Sequence, residues 1–272
     1  AFLPGPGGGT YLDATSPQSR LGPLPSMDAR APALQMDGPA AMVSLPSSSP
    51  DDHGVDSTWT VKLSASGSAE LEGDERAIGD EAFWMRSNLT EPDARAQWVE
   101  DHLVGPWFAT VEVAKKVDFQ GDLGRGVATV KWKAHSDGLA RREGAELVVP
   151  LSPSQPMASQ VAPLVRRTVP VWLPSSQAPR KESRTIRVVA AKGWRFEALP
   201  VGGDENGGPF GRAHLEVTRD PRDPQAVLVK RSMVFDQSVI PVDEYPRWRA
   251  WVQRADALMH KALRLEATGG AR

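Results

Sequence analysis

Residues 58–65 read TWTVKLSA, and the fold class turns on how this stretch is read. Trp59, Val61, Leu63 and Ala65 alternate with Thr58, Thr60, Lys62 and Ser64. A period of two places the four apolar side chains on one side of an extended chain, so the spacing predicts a half-buried strand. Upstream, VSLPSSSPDDHGVD (43–56) is rich in Ser, Pro and Asp and reads as a loop or hinge. Downstream, a second strand near 67–73 would fold back on the first as a hairpin.

The alternation recurs along the chain. Val111, Val113, Val117 and Phe119 share a face over 108–119, and Ala128, Val130 and Trp132 share another over 126–134. AELVVPL (145–151) is a short apolar strand, and further strands are predicted near 168–173, 184–191, 193–198, 211–218 and 225–235. Short strands separated by turn residues favour a mainly β (α+β) fold of antiparallel β-sandwich-like sheets over a parallel α/β arrangement. A Pro- and Ser-rich stretch at 152–163 is read as an internal sub-boundary.

Helical spacing interrupts this pattern in three places. IGDEAFWMRSNL (78–89) sets Ala82, Met85 and Leu89 on one side. In TEPDARAQWVEDHLVG (90–105), Thr90 is the expected cap, Pro92 sits in the first turn and Asp93 completes a capping box. Near the end, Asp243 is the expected cap of a helix whose stripe is Tyr245, Trp248, Val252, Ala255, Met259 and Ala262. The reading is thus two central helices and one C-terminal helix among many strands.

Composition narrows the function classes. The 272 residues suit one or two domains, and 32 basic against 34 acidic residues leave a formal charge of −2. The basic pairs Arg141-Arg142, Arg166-Arg167, Arg180-Lys181 and Lys230-Arg231 are scattered, so no dense basic face for nucleic acid or anionic membrane is expected. No apolar run approaches the ~18 residues of a membrane helix, and no stretch reads as a signal peptide. The chain has no cysteine, which removes disulfides, thiolate metal sites and a thiol nucleophile from its own resources.

Candidate chemistry is sparse. His53, His102, His135, His214 and His260 are far apart and form no metal-binding pair in sequence, so structural or solvated roles are expected and no metal or cofactor is assigned. Glu70, Glu72, Asp74 and Glu75 lack the Asp/Asn–Gly spacing of a calcium loop and read as solvated charge. Gly5, Gly7, Gly8 and Gly9 run into Thr10-Tyr11-Leu12, which suits a strand and not the Gly-Lys-Ser/Thr of a phosphate loop. Asn88-Leu89-Thr90 matches a glycosylation sequon by a pattern common by chance. The nine Trp are read mostly as core. From the residues alone, no complete catalytic constellation is present.

TYLDATSPQSRLGPLP (10–25) adds a resemblance. It is similar to the end of the catalytic domain in bacterial transglutaminase-like proteins, a papain-related fold with a Cys, His, Asp triad. Asp13, followed by Ala14 and Thr15, matches the position of the triad Asp, which would orient the histidine so that it activates the thiol. The helix pair with Arg86, the Arg167-x-x-Pro170 step, GWRFEALP (193–200), PFGRAHLEV (209–217) and VDEYPRWRAWV (242–252) resemble, in that order, the β-rich C-terminal region of such multidomain proteins. This chain departs from the family in having no Cys and no His before Asp13; both are expected upstream of Ala1.

The resemblance implies residues 1–30 as the tail of a transglutaminase-like core and 31–272 as a β-rich accessory region. It implies no catalysis by the chain itself and a role in positioning or shielding the site of an upstream transglutaminase-like domain of the same protein. A protein or peptide substrate and a periplasmic or otherwise exported location are implied with it. A different reading is a stand-alone β-sandwich module for cell-envelope carbohydrate or peptide, which coplanar exposed Trp would favour. A hydrolase using carboxylates alone would need two of them facing each other about 5–9 Å apart.

Overall fold

The first hairpin of the large sheet forms where the alternation predicts, and both of its strands are longer than expected. The computed structural model describes residues 2–3, 10–11, 24–25, 28–36, 40–108, 110–173 and 179–268, and Asp13 lies outside them. In chain order the first strands are the short pairs β1 (Phe2–Leu3) with β2 (Thr10–Tyr11) and β3 (Pro32–Gln35) with β4 (Ala41–Ser44). Then come β5 (Gly54–Leu63) and β6 (Ala69–Ile78), paired antiparallel along all ten residues. Trp59, Val61 and Leu63 are buried as predicted. The alternation extends back through Ser57 and Val55, so the loop reading of 43–56 ends too late.

The next strands are β7 (Val111–Val113), β8 (Asp118–Asp122), β9 (Val127–Ser136), β10 (Arg141–Glu143), β11 (Glu146–Pro150) and β12 (Val171–Trp172). They are followed by β13 (Arg180–Val189), β14 (Trp194–Phe196), β15 (Gly203–Asn206), β16 (Gly211–Arg219), β17 (Ala226–Phe235), β18 (Val239–Ile240) and β19 (Ala262–Ala267). Among the described residues, nine of these strands form one sheet. Its order is β15-β16-β17-β13-β5-β6-β9-β7, with β8 also on β9. The pairs are antiparallel except β13 with β5, which run parallel. The fold is therefore mainly β with antiparallel sheets, as the sequence indicates.

One face of this sheet is wet and the other is covered. On the outer face Lys62–Glu72, Lys131–Asp74 and Lys230–Glu216 pair across strands, exposed contacts worth a few tenths of a kcal/mol to about 1 each. The inner face is covered at one end by a four-stranded sheet, β10-β11-β19-β14, whose Leu147, Val149, Leu263, Leu265 and Phe196 join the same core as Val61, Leu71, Val188 and Val227. At the other end lie the helices. Helix α1 (Gly79–Asn88) packs on β5, β6 and β9 through Ala82 and Met85, and Leu89, just beyond its last turn, is fully buried. Helix α2 (Arg95–Val99) follows a short turn at Pro92–Ala94 and continues into one widened turn, Glu100–Val104. There the Gly105 N–H reaches the Glu100 carbonyl five residues back.

Helix α3 (Met157–Val161) lies within the Pro/Ser-rich stretch and packs on α4 (Tyr245–Met259). Asp256 joins the two by accepting from the Met157 and Ala158 backbone N–H groups at 2.9 and 2.6 Å. The α4 stripe from Tyr245 to Met259 is buried as predicted. The helix stops at Met259, however, and Ala262 begins β19, which the helical spacing concealed.

Neither expected cap forms. The Thr90 hydroxyl donates to the Arg86 carbonyl, closing the end of α1 instead of opening α2. The residue flanking α4 is Glu244, without a side-chain cap, so Asp243 has no such role.

Candidate functional site

The middle of the covered face carries charge where a sandwich core would carry aliphatic side chains. Arg231 on β17 stands opposite Arg184 on β13, Arg184 registers with Ser57 on β5, and Ser57 pairs with Glu75 on β6. These four residues form a polar row across four strands. One register step away, Ile186, Trp59, Gly73 and Trp132 form the next row. Gly73 is required there, because a Cβ on it would stand 2.2 Å from the Trp132 indole.

Glu75 is fully buried, which corrects the reading of the 70–75 acids as solvated charge. Its carboxylate accepts from the Ser57 hydroxyl, from Trp59 Nε1 and, at 3.3 Å, from Trp132 Nε1. Glu70, Glu72 and Asp74 do lie on the wet side. Three neutral donors around one carboxylate supply hydrogen bonds that water would otherwise provide.

The arginines are held differently. The Arg184 guanidinium lies 4.1 Å from the Trp59 ring centre and 4.2 Å from that of Trp107, and Arg231 lies 4.5 Å from Trp107. Arg231 also donates to the Leu151 carbonyl. Burial, together with nearby Arg184, lowers the Arg231 pKa to about 10 against the pull of Glu182 and Asp256. Glu182, one step along β13, faces Arg184 at 3.5 Å and Arg180 at 3.4 Å. Arg180 in turn meets Glu81, on the first turn of α1, at 2.9 Å.

The two carboxylates are shifted apart. Burial pushes Glu81 above the usual glutamate range in spite of Arg180. Burial would raise Glu182 as well, but Arg184, Arg180 and Arg231 outweigh it and hold that group low. Such a split accompanies acid–base pairs in enzymes. Here the Arg180 guanidinium bonds to both, standing where a pair of hydrolytic carboxylates would need open space for substrate.

Above this floor is a cleft of about 470 Å³. Trp84, Met85, Trp98, Leu103 and Trp107 wall it, and Glu75, Glu81, Arg180, Glu182 and Arg184 lie at its base. Trp98 stacks on His102 with ring centres 4.9 Å apart. A smaller cavity of about 210 Å³ shares Arg180 and Glu182 as a wall and opens towards Met157, Met233 and Met259. Apolar walls with a few convergent polar groups are the usual composition of a ligand site.

The residues singled out in sequence fall elsewhere for the most part. Asp13 and the glycines at 5, 7, 8 and 9 lie outside the described residues. The histidines are not brought together. His53 is buried beside Asp80 at 3.4 Å, His135 lies between Glu70 and Asp137, His214 faces Asp204 and His260 faces Asp256. Among the described residues no three His, Asp or Glu side chains gather as a metal site would require. Arg86 is buried at the end of α1 and donates to the Val127 carbonyl at 3.4 Å. Of the nine Trp, six are buried and only Trp84 and Trp172 are largely exposed, on separate elements, so no open aromatic platform forms.

The sequence names Glu75, Met85 and Arg180 in other connections but does not group the cleft residues as a site. The strand was expected from 184, yet Arg180, Glu182, Arg184, Ile186 and Val188 are in one period-two phase. That phase was the available signal, masked by the charge of its first three members.

No protein-family model matches this chain, and no curated protein matches it. Among solved structures, that of a proposed protease from Parabacteroides distasonis is similar over 46% of this chain and 24% of its own length, at 16% identity and a TM-score of 0.37. A likeness of that size carries no argument about fold or activity.

Proposed function

We propose that this chain is the non-catalytic, β-rich accessory part of a transglutaminase-like thiol enzyme, and that its cleft positions a peptide or protein segment for that enzyme. Residues 1–30 then form the tail of the catalytic core, contributing Asp13 as third triad member, and 31–272 form the accessory region. The partner is the upstream domain of the same protein, in an exported compartment.

One observation carries the reading: the carboxylates of the aromatic-walled cleft are committed to fixed protein donors. Glu75 is held by Ser57, Trp59 and Trp132, while Glu81 and Glu182 share Arg180. Groups held in this way recognise more readily than they transfer protons, since a general acid or base must reach the reacting atom. The absence of cysteine leaves any thiol step to another segment.

The coding sequence upstream of Ala1 tests this. A Cys followed by a His, in helix and strand context before Asp13, is the expected result; a reading frame without them contradicts it. The carbohydrate-module reading calls for coplanar exposed Trp, whereas at the cleft rim Trp84 alone is largely exposed. Tighter binding of oligosaccharides than of peptides would select it.

A further inference from the structure

Arg184 is the charged group at the cleft base whose bonding the protein leaves incomplete. The residue is only 6% exposed. Trp59 and Trp107 cover its guanidinium, and Glu182 faces it at 3.5 Å. Its Nε and Nη1 are buried with no hydrogen-bond partner among the described residues. An unmatched buried N–H forfeits the hydrogen bond water would give it, a larger loss on a charged group. The aromatic rings hold the guanidinium in position, so a ligand must meet its edge.

The neighbouring side chains define what would meet it. Arg180, Arg184 and Arg231 converge on Glu182, with Glu81 and Glu75 beside them. Arg180 is shared by Glu81 and Glu182, and Arg231 donates to the Leu151 carbonyl, so the unmatched donors at the cleft base are those of Arg184. A planar guanidinium with unmatched N–H groups matches a carboxylate, and the carboxylates already beside it disfavour a more highly charged anion such as a phosphate dianion. Apolar walls at Met85, Trp98, Leu103 and Trp107 call for an apolar body on that anion.

We infer that the cleft binds a carboxylate carried beside an apolar group, with the carboxylate on Arg184 and the apolar body against Trp98 and Trp107. This rests on the reading of the cleft as a peptide site and names the feature it recognises. Two sources supply that chemistry, the C-terminus of a peptide ending in an apolar residue and an acidic side chain next to one.

Calorimetric titration of the unaltered chain with three peptides tests the inference: N-acetyl-Ala-Ala-Leu, its C-terminal amide, and N-acetyl-Ala-Glu-Leu-amide. At least one carboxylate peptide is expected to bind about tenfold or more tightly than the Ala-Ala-Leu amide, and which one does so identifies the source. In Arg184→Lys, which keeps the charge but loses the planar fork, that preference is expected to shrink severalfold. Equal affinity for all three peptides overturns the carboxylate inference while leaving a peptide cleft standing. Failure of all three to bind overturns both.

Discussion

Arg184 and Arg231 stand directly opposite each other on adjacent antiparallel strands, and both guanidinium groups lie over the ring of Trp107, at 4.2 and 4.5 Å. Like charges in that relationship ordinarily destabilise a sheet. Here one indole offers its electron-rich face to both, and Glu182 lies beside Arg184. The cost of placing two cations on the covered face is offset locally, by a residue from the segment after α2.

Trp107 should therefore matter to stability beyond its volume. Trp107→Leu is expected to lower unfolding free energy by about 3–5 kcal/mol, the range for large core truncations, with the added cost of two uncovered guanidinium groups. Trp107→Phe, which keeps a smaller ring, should lose about half as much. Urea unfolding monitored by circular dichroism distinguishes these, and equal losses for the two variants would remove the cation–ring interaction from the account.

Glu75 makes a second case. Glu75→Ala leaves Ser57, Trp59 and Trp132 without their acceptor and should cost about 3–5 kcal/mol. Adding Ser57→Ala should cost little more, because its partner is already gone. A double-mutant cycle reads that coupling, and strictly additive losses would show that the hydroxyl does not depend on Glu75.

Gly73→Ala, which on an ordinary strand is mild or favourable, should be harmful here. The new Cβ meets the Trp132 indole, so a drop of about 1–3 kcal/mol is expected, read as a lower thermal midpoint. An unchanged midpoint would mean that the indole moves aside freely.

Glu81 and Glu182 should respond to pH in opposite ways. The folded pKa of Glu81 is raised, so its ionisation weakens the fold as pH climbs from the ordinary glutamate range through the raised value. Glu81→Gln should therefore gain on the unaltered chain as pH rises. The folded pKa of Glu182 is lowered, so its contribution is present above the ordinary range and lost as pH falls through the lowered value. Glu182→Gln should cost about 1–3 kcal/mol near neutrality and converge with the unaltered chain in acid. Urea midpoints between about pH 3 and 8 give both profiles, since free glutamate titrates within that window.

How much of this was legible in the sequence depends on phase. The strand at Trp59–Leu63 was plain because apolar and polar residues alternate without a break. The strand through Arg180, Glu182 and Arg184 turns alternate residues inward in the same way, but residues 180–185 are polar throughout and look like a turn until their partners on β5, β17 and α1 are known. Glu75 was hidden in the same way, since Glu70, Glu72 and Asp74 occupy the opposite phase and draw it into an acidic run. β19 was lost because Ala262 continues the α4 stripe by spacing alone, and only pairing with β11 and β14 makes 262–267 extended. Local patterns revealed the layers, whereas the site is made by contacts between strands far apart in sequence.

The central claim is that the cleft between α1, α2 and β13 receives the ligand, and the indole N–H resonances of the nine Trp test it most directly. On adding N-acetyl-Ala-Ala-Leu or N-acetyl-Ala-Glu-Leu-amide to the ¹⁵N-labelled chain, the signals of Trp84, Trp98 and Trp107 should shift while those of Trp194, Trp248 and Trp251 hold. Shifts confined to Trp172, or none at Trp98 and Trp107 at saturating peptide, would contradict it.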